Sequence, residues 1–166
     1  RERAFAQELA FGTERLRGRW DHLLARHARG GLDRLDAEVL DVLRLGAHQL
    51  FAMEVPAFAA ISSSVDLARA VGAGRASGLV NAVLRALDRE GMSAGSFPDR
   101  GVDPAGWLAT WGSHPRWLVE RWLARWSFDE VERLVEADNR VPETYLVPFD
   151  DDLEGAANAL ASRGIE

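Results

Sequence analysis

The sequence of 166 residues contains no cysteine and no lysine, and only one tyrosine. The absence of cysteine excludes a disulfide framework, a thiolate nucleophile and a cysteine-ligated metal site. No apolar run approaches the roughly 18 residues that would span a bilayer. Residue 1 leads directly into an amphipathic helical pattern rather than a signal peptide. We therefore expect a cytoplasmic chain with an apolar core, no membrane association and no metal.

Charge is distributed unevenly along the chain. Residues 1–89 carry 13 arginines against 11 acidic residues, whereas residues 90–166 carry 7 against 15. All 20 basic residues are arginine, which is typical of a GC-rich genome and also of planar, bidentate phosphate recognition. With a net charge of −6 the whole chain is a poor polyanion binder. Nucleic-acid binding is therefore expected only from a local patch in the first half.

Apolar residues recur at spacings of three and four along most of the chain, which predicts an all-α fold. Gly12-Thr13 is expected to kink the first helix or to cap a second one, and Gly46 indicates a close approach between helices. Asp36 and the Ser127–Glu130 capping box are predicted helix starts. Helices are predicted over residues 3–28, 37–53 and 76–90, from 104, and over 115–126 and 128–139. Another helix is predicted with Pro56 near its start and Gly72 just past its end.

The pattern changes near residues 140–143, where we place a domain boundary. Residues 144–149 form the only convincing strand, and Asp152 lies before a predicted helix over residues 153–162. Residues 1–140 are thus expected to be one helical domain with its linker helices. Residues 141–166 would begin an α/β domain. Because the chain starts at Arg1 and stops just after a short helix, we expect a fragment of a longer protein.

Two short motifs resemble enzyme signatures, but their settings argue against catalysis. Residues 91–95 match the G-x-S-x-G elbow, with Asp99, Asp103 and His114 after it, yet a helix rather than a strand precedes them. The glycine-rich segment 72–78 resembles a dinucleotide fingerprint and also follows a helix. The four histidines lack the spacing of a metal site. We expect no catalytic, cofactor or metal site in this chain.

The basic residues of the first half suggest a phosphate-binding surface. Arg15, Arg17 and Arg19 fall within five residues, and Arg26 follows, so this stretch is either a solvated helix face or a nucleic-acid footprint. Segment 72–78 leads into a helix N-terminus beside Arg75, where a phosphate site and a plain turn are the two alternatives.

Five of the six tryptophans lie between residues 107 and 126, and four of them form i,i+4 pairs. Tryptophan can stack on bases, but these pairs lie beside leucines at helical spacing. We therefore expect them to pack in the core or at an interface.

Four phrases of the sequence resemble one family and occur in the order found there: RAFAQELAFGT (3–13), VLRLGAHQL (42–50), VPA (55–57) and GLVNAVLR (78–85). They look like the NusB-like domain, and in particular its version at the start of the bacterial ribosomal RNA cytosine-C5 methyltransferases called RsmB, Sun or Fmu. The segment 113–122 resembles the linker helix of those enzymes, and residues 136–139 resemble the entry to their methyltransferase part.

The resemblance implies an all-α, NusB-like helical domain that binds ribosomal RNA and positions it for methylation by a second domain. The catalytic cysteines and the cofactor loop would lie beyond residue 166, so S-adenosylmethionine is expected for the parent protein and not for this chain. The expected partners are ribosomal RNA and the parent's own methyltransferase domain. The expected RNA-binding residues are Arg15, Arg17, Arg19, Arg26, Arg75 and Arg85.

Two alternatives remain open at the level of sequence. The chain is also consistent with a NusB-like antitermination module that docks a protein partner and has no enzymatic role. A degenerate scaffold is the other alternative, because Phe58, Ser62 and Ser63 stand where the family has His, Asn and Glu. Asn81 lies in an otherwise apolar phrase, and we expect it to be partly buried and bonded to the backbone.

Overall fold

The structure is a computed structural model that describes residues 2–142, 148 and 152–164. Every regular element among these residues is helical, as the apolar periodicity predicts. Short 3₁₀ turns occur at Leu32–Arg34, Gly74–Ala76 and Ala94–Ser96. The α-helices are α1 (Glu2–Arg15), α2 (Arg17–Ala25), α3 (Ala37–Phe51), α4 (Ala57–Ala70), α5 (Ser77–Glu90), α6 (Pro104–Trp111), α7 (Arg116–Leu123), α8 (Phe128–Asp138) and α9 (Leu153–Ala161).

Helices α1 to α5 enclose the larger apolar core. Helix α3 packs against α1, α2, α4 and α5, and Trp20, Leu43 and Leu84 are fully buried between them. A Cβ atom at Gly46 of α3 would lie 2.6 Å from Leu84 Cδ1 and 2.9 Å from Ser64 Oγ. The expectation that Gly46 marks a close approach between helices is therefore confirmed.

The first predicted helix is two helices, and the break is not at Gly12-Thr13. The chain leaves helical geometry at Leu16, with φ −103° and ψ 19°, before α2 begins at Arg17. Gly12 and Thr13 lie inside α1 and are buried. Gly12 is required for packing, because a Cβ atom there would collide with the ring of His48.

Helix starts are stabilised largely as predicted. The Asp103 carboxylate accepts a hydrogen bond from the backbone N–H of Gly106 at 3.0 Å, at the start of α6. Ser127 and Glu130 form the predicted capping box of α8. Asp36 occupies the N-cap position of α3, but its side chain makes no capping hydrogen bond.

Helices α6 to α8 form a second, smaller core around Leu108, Val119, Val131 and Val135. A seam joins the two cores, because α2 packs against α6 and the backbone N–H of Gly18 donates to Ser113 Oγ at 2.7 Å.

The tryptophans of α6 and α7 mostly pack, as expected. The rings of Trp107 and Trp111 stack at 5.6 Å and contact both cores. Trp122 packs in the smaller core. Trp117 and Trp126 depart from the expectation, since 64% and 45% of their surfaces are exposed.

The predicted strand over residues 144–149 lies outside the described residues apart from Pro148, and no strand occurs in the described part of the chain. The helix expected after it is present as α9, and the carboxylate of Asp152 accepts from the backbone N–H of Gly155 at 2.8 Å. The domain boundary near residue 140 stays a prediction.

Candidate nucleic-acid interface

Arg19 points into the molecule rather than to solvent. Its Nε donates to the backbone carbonyl of Trp111 at 2.5 Å, and its guanidinium lies 5.1 Å from the centre of the Trp111 ring. Burial lowers the pKa of Arg19 to about 10. The side chain therefore joins α2 to α6, and this contact occupies the group that sequence analysis assigned to RNA.

Arg15 and Arg17 lie beside carboxylates. Arg15 Nη1 is 3.9 Å from Glu8 Oε1, and only 18% of the Arg15 side chain is exposed. Arg17 lies between two acidic residues, 3.6 Å from Glu14 and 4.0 Å from Asp21. Both positive charges are thus partly neutralised locally, which reduces the potential that a phosphate would meet.

Arg26 is held in a polar contact at the end of α5. Its Nη2 is 2.6 Å from Glu90 Oε1, and its Nη1 donates to the Ser96 carbonyl at 3.5 Å. The other oxygen of Glu90 lies 2.9 Å from His27 Nε2. Glu90 therefore joins the end of α5 to the end of α2, and Arg26 extends this contact to the 3₁₀ turn at Ala94–Ser96.

Arg75 and Arg85 are exposed on a different surface: Arg75 lies in the 3₁₀ turn before α5, and Arg85 lies in the middle of α5. Arg85 Nε donates to Asn81 Oδ1 at 3.0 Å. Asn81 is half-buried, as expected, but its partner is this side chain and not the backbone. Arg89, which sequence analysis did not single out, is exposed one turn after Arg85; its i,i+4 spacing was the available signal.

A groove of about 310 Å³ runs beside this part of α5. Its walls are the segment that follows α2 and one side of α5. The α5 side is lined mostly by small side chains, and Arg29 lies on the other side. The lining residues are His27, Ala28, Arg29, Leu35, Leu79, Ala82, Val83 and Ala86.

Arg44 is a second buried arginine whose role the sequence did not reveal. It donates two hydrogen bonds to Asp21, at 2.7 and 2.9 Å, and one to Asp41 at 2.9 Å. The hydrogen bonds with Asp21 raise the pKa of Arg44 above its usual range. Because it is 9% exposed, Arg44 stabilises the α2–α3 contact and is not part of an open surface.

The hydrolase-like motif has structural roles in the described residues. Ser93 precedes a 3₁₀ turn and its N–H donates to Ser96 Oγ. Asp103 caps α6 and pairs with Arg116 at 2.8 Å. His114 Nδ1 lies 2.7 Å from the Gly112 carbonyl. These groups do not converge on a nucleophile.

The glycine-rich segment 72–78 follows α4, so it lacks the strand that a dinucleotide fold requires. Gly72 has φ 84° and lies just beyond the last turn of α4, which is the position of a helix-terminating glycine. Among the described residues, no group of three or more His, Asp or Glu side chains is arranged to hold a metal ion.

Comparison with known proteins identifies the class. The profile described as the NusB family matches residues 1–89, so the chain belongs to the NusB family. A putative methyltransferase of Mycobacterium tuberculosis strain H37Rv is 33% identical over 169 residues, covering 99% of this chain and 37% of that protein. No solved structure matches the chain.

Relatives with more specific names cover slightly less of the chain. A ribosomal RNA small subunit methyltransferase B of Pseudomonas putida is 38% identical over 148 residues, 88% of this chain and 32% of that protein. A probable one of Bacillus subtilis is 34% identical over 133 residues, 80% of this chain and 29% of that protein. The chain thus spans about a third of the length of these relatives. None of its described helices is long and apolar enough to cross a membrane.

Proposed function

We propose that this chain is the RNA-binding part of a ribosomal RNA methyltransferase, and that it positions small-subunit ribosomal RNA for methylation of a cytosine at C5. One observation carries the proposal: a NusB-family region at residues 1–89 lies in a chain that aligns over most of its length with proteins named ribosomal RNA small subunit methyltransferase B. The excess of arginine in the same residues supports it, because phosphate contacts dominate RNA affinity.

S-adenosylmethionine would supply the methyl group in the parent protein, but the described residues of this chain do not fit it. Methyl donors of this size need a pocket with a glycine-rich loop, and the glycine-rich segment 72–78 here lies between two helices. We expect isothermal titration with S-adenosylmethionine to give no saturable heat. Stoichiometric micromolar binding would contradict the proposed division of labour between this chain and a catalytic part.

RNA binding is tested by fluorescence anisotropy with the full 166-residue chain. Labelled segments of bacterial small-subunit ribosomal RNA are compared with large-subunit segments of equal length at several salt concentrations. We expect preferential binding to a small-subunit segment and weakening with salt, since released counterions drive association. Absence of binding at low salt, or equal affinity for all segments, would contradict the proposal.

Docking of a protein partner is a second candidate, and exposed apolar side chains favour it. Phe11 and Val141, 63% and 62% exposed, line a groove of about 750 Å³ between α1 and the end of α8. Phe58 of α4 is 80% exposed. Phe11 and Phe58 are replaced by serine. If the chain acts through RNA alone, the variant should behave like the unaltered chain in every assay. If RNA affinity is unchanged but a complex of the chain, RNA and a protein partner no longer forms, the docking function is favoured.

A further inference from the structure

We infer that RNA is bound by the exposed surface of α5, and not by the arginines of residues 15–26. This inference rests on the proposed function and assigns its contact surface. The α5 surface is defined by the exposed residues that follow one another along the helix and the turn before it: Arg75, Gly78, Ala82, Arg85 and Arg89. The bound group is the phosphate backbone of a single-stranded RNA segment.

The first argument is which positive charges are available. The four arginines of residues 15–26 are engaged: Arg19 bonds to Trp111, and the other three, Arg15, Arg17 and Arg26, lie beside carboxylates. In the part of the chain that the structure describes, no carboxylate lies within ion-pairing distance of Arg85 or Arg89. A phosphate that approaches an unpaired cation displaces only water, whereas a paired cation must also release its partner.

The second argument is spacing along the helix. Gly78, Ala82, Arg85 and Arg89 follow at intervals of four, three and four, so they share one side of α5. Arg85 and Arg89 are one turn apart, about 6 Å along the axis. The small side chains at Gly78 and Ala82 allow a polymer backbone to approach the helix closely. The α5 surface therefore carries a row of guanidinium groups next to a stretch of helix with only small side chains.

The third argument is that Arg85 is oriented before any ligand arrives. Its Nε donates to Asn81 Oδ1 at 3.0 Å, which leaves the two terminal nitrogens of the guanidinium for bidentate phosphate contact. Asn81 is thus a positioning residue for Arg85. An amide is suited to this role, because a carboxylate at the same place would neutralise the arginine.

The groove beside the α5 surface gives the bases a place to lie. It holds about 310 Å³ between Leu79, Ala82 and Ala86 on α5 and Arg29 opposite. Leu79 is 39% exposed, so the floor offers apolar contact to a base, and the Arg29 guanidinium can stack on its plane. One RNA strand would therefore run along the axis of α5, with its phosphates on the arginine row and its bases in the groove.

The test compares two arginine pairs with the same spacing in the full chain. Arg85→Ala/Arg89→Ala removes the row on α5. Arg121→Ala/Arg125→Ala is the matched control, because both of those arginines are exposed and four residues apart but lie in the acidic half. We expect the α5 double variant to bind the small-subunit segment roughly tenfold more weakly and to flatten the slope of log K against log salt by about 1.4. The control should change neither quantity.

The outcomes separate this inference from the proposed function. If the unaltered chain binds no RNA, both fail. If it binds and the α5 double variant binds equally well, while Arg17→Ala/Arg26→Ala weakens it, the function stands and the α5 surface is wrong. Equal losses from the α5 variant and the control would also overturn the α5 surface, since they would reflect net charge only.

Asn81 is tested separately. Asn81→Ala should weaken RNA binding several-fold with an unchanged thermal midpoint, and Asn81→Asp should weaken it further because its charge pairs with Arg85. Asn81→Gln, which keeps the amide, should restore part of the affinity. A lowered thermal midpoint with unchanged RNA affinity would make Asn81 a structural residue and contradict its positioning role.

Discussion

His48 is enclosed by α1, α2 and α3, and only 1% of its surface is exposed. The centres of the His48 and Trp20 rings are 5.6 Å apart in an edge-to-face arrangement. The His48 ring also lies against Gly12. The nearest carboxylate oxygen, Glu8 Oε1, is 3.8 Å from Nε2, which is too long for a hydrogen bond. Burial lowers the pKa of His48 below its ordinary value of 6.5, and the charge of Glu8 opposes this shift only in part.

The lowered pKa of His48 predicts a pH-dependent stability. The unfolded chain takes up a proton on this imidazole below about pH 6.5 while the folded chain does not. The free energy of unfolding should therefore fall as the pH decreases from 6.5, by up to about 1.4 kcal/mol per pH unit from this group. Above pH 7 its contribution should be constant.

Urea denaturation of the chain and of His48→Gln between pH 4.5 and 8 checks this. The glutamine variant removes the titrating ring, so its stability should decline less steeply on the acid side. The other histidines are present in both proteins, and the difference between the two curves isolates His48. Parallel curves would contradict the assignment.

The spacing of apolar residues predicted the helices, but the sequence did not predict which side chains contact each other across helices. Arg17 and Arg19 are two positions apart and look alike in sequence, yet one is exposed and the other bonds to Trp111, 92 residues later. Such a contact depends on how two helices pack, which local spacing does not encode. Asn81 shows the same limit, because its partial burial followed from the apolar phrase and its bond to Arg85 did not.

At the scale of elements, the short-range signals were reliable where they act within one turn. The capping box at Ser127 and Glu130 and the helix end before Gly72 follow from local backbone geometry. The break between α1 and α2 was misplaced, because Gly12 serves the contact with α3 rather than a kink. A glycine within a helix can mark either a kink or a close contact with another helix. The two cases differ only in whether a neighbouring helix packs against the glycine, which the local sequence does not show.

Two glycines with opposite surroundings test that statement. Gly46 of α3 has Leu84 and Ser64 where its side chain would be, whereas Gly78 of α5 has no atom within 4 Å of that position. Alanine has the higher helix propensity by up to about 1 kcal/mol, but overpacking costs about 1–3 kcal/mol. Gly46→Ala should therefore destabilise the chain by about 1–2 kcal/mol, and Gly78→Ala should be neutral or stabilising.

Thermal and urea denaturation of the two glycine variants measure the difference. The identical chemical change makes each variant the control for the other. A Gly46→Ala protein as stable as the unaltered chain would mean that α3 and α5 can separate without cost.

At the scale of the whole molecule, two apolar cores meet along a narrow seam between α2 and α6. The larger core belongs to the region that matches the NusB family, and the smaller core lies after it, at residues 105–135. The order of helices could be anticipated from the apolar periodicity of the sequence. The seam could not be anticipated, because Gly18 and Arg19 bond to residues more than 90 positions away, Ser113 and Trp111.

Arg19→Met tests whether this seam couples the two cores. Methionine keeps the apolar length that covers Trp111 but removes the guanidinium, leaving the Trp111 carbonyl without its donor. Losing a hydrogen bond from a charged group costs about 1.5–3 kcal/mol, so the unfolding free energy should fall by that amount. Arg17→Ala, an exposed neighbour, should stay within about 0.5 kcal/mol of the unaltered chain.

The same variant separates the structural role of Arg19 from the RNA contact first expected of it. Measured well below the unfolding temperature, Arg19→Met should bind RNA with unchanged affinity and salt dependence, because its guanidinium is already committed to α6. Full stability combined with weaker RNA binding would reverse this conclusion. In that case the Arg19 side chain would release Trp111 to bind phosphate. The RNA contact surface would then be formed by the arginines of residues 15–26, as first expected.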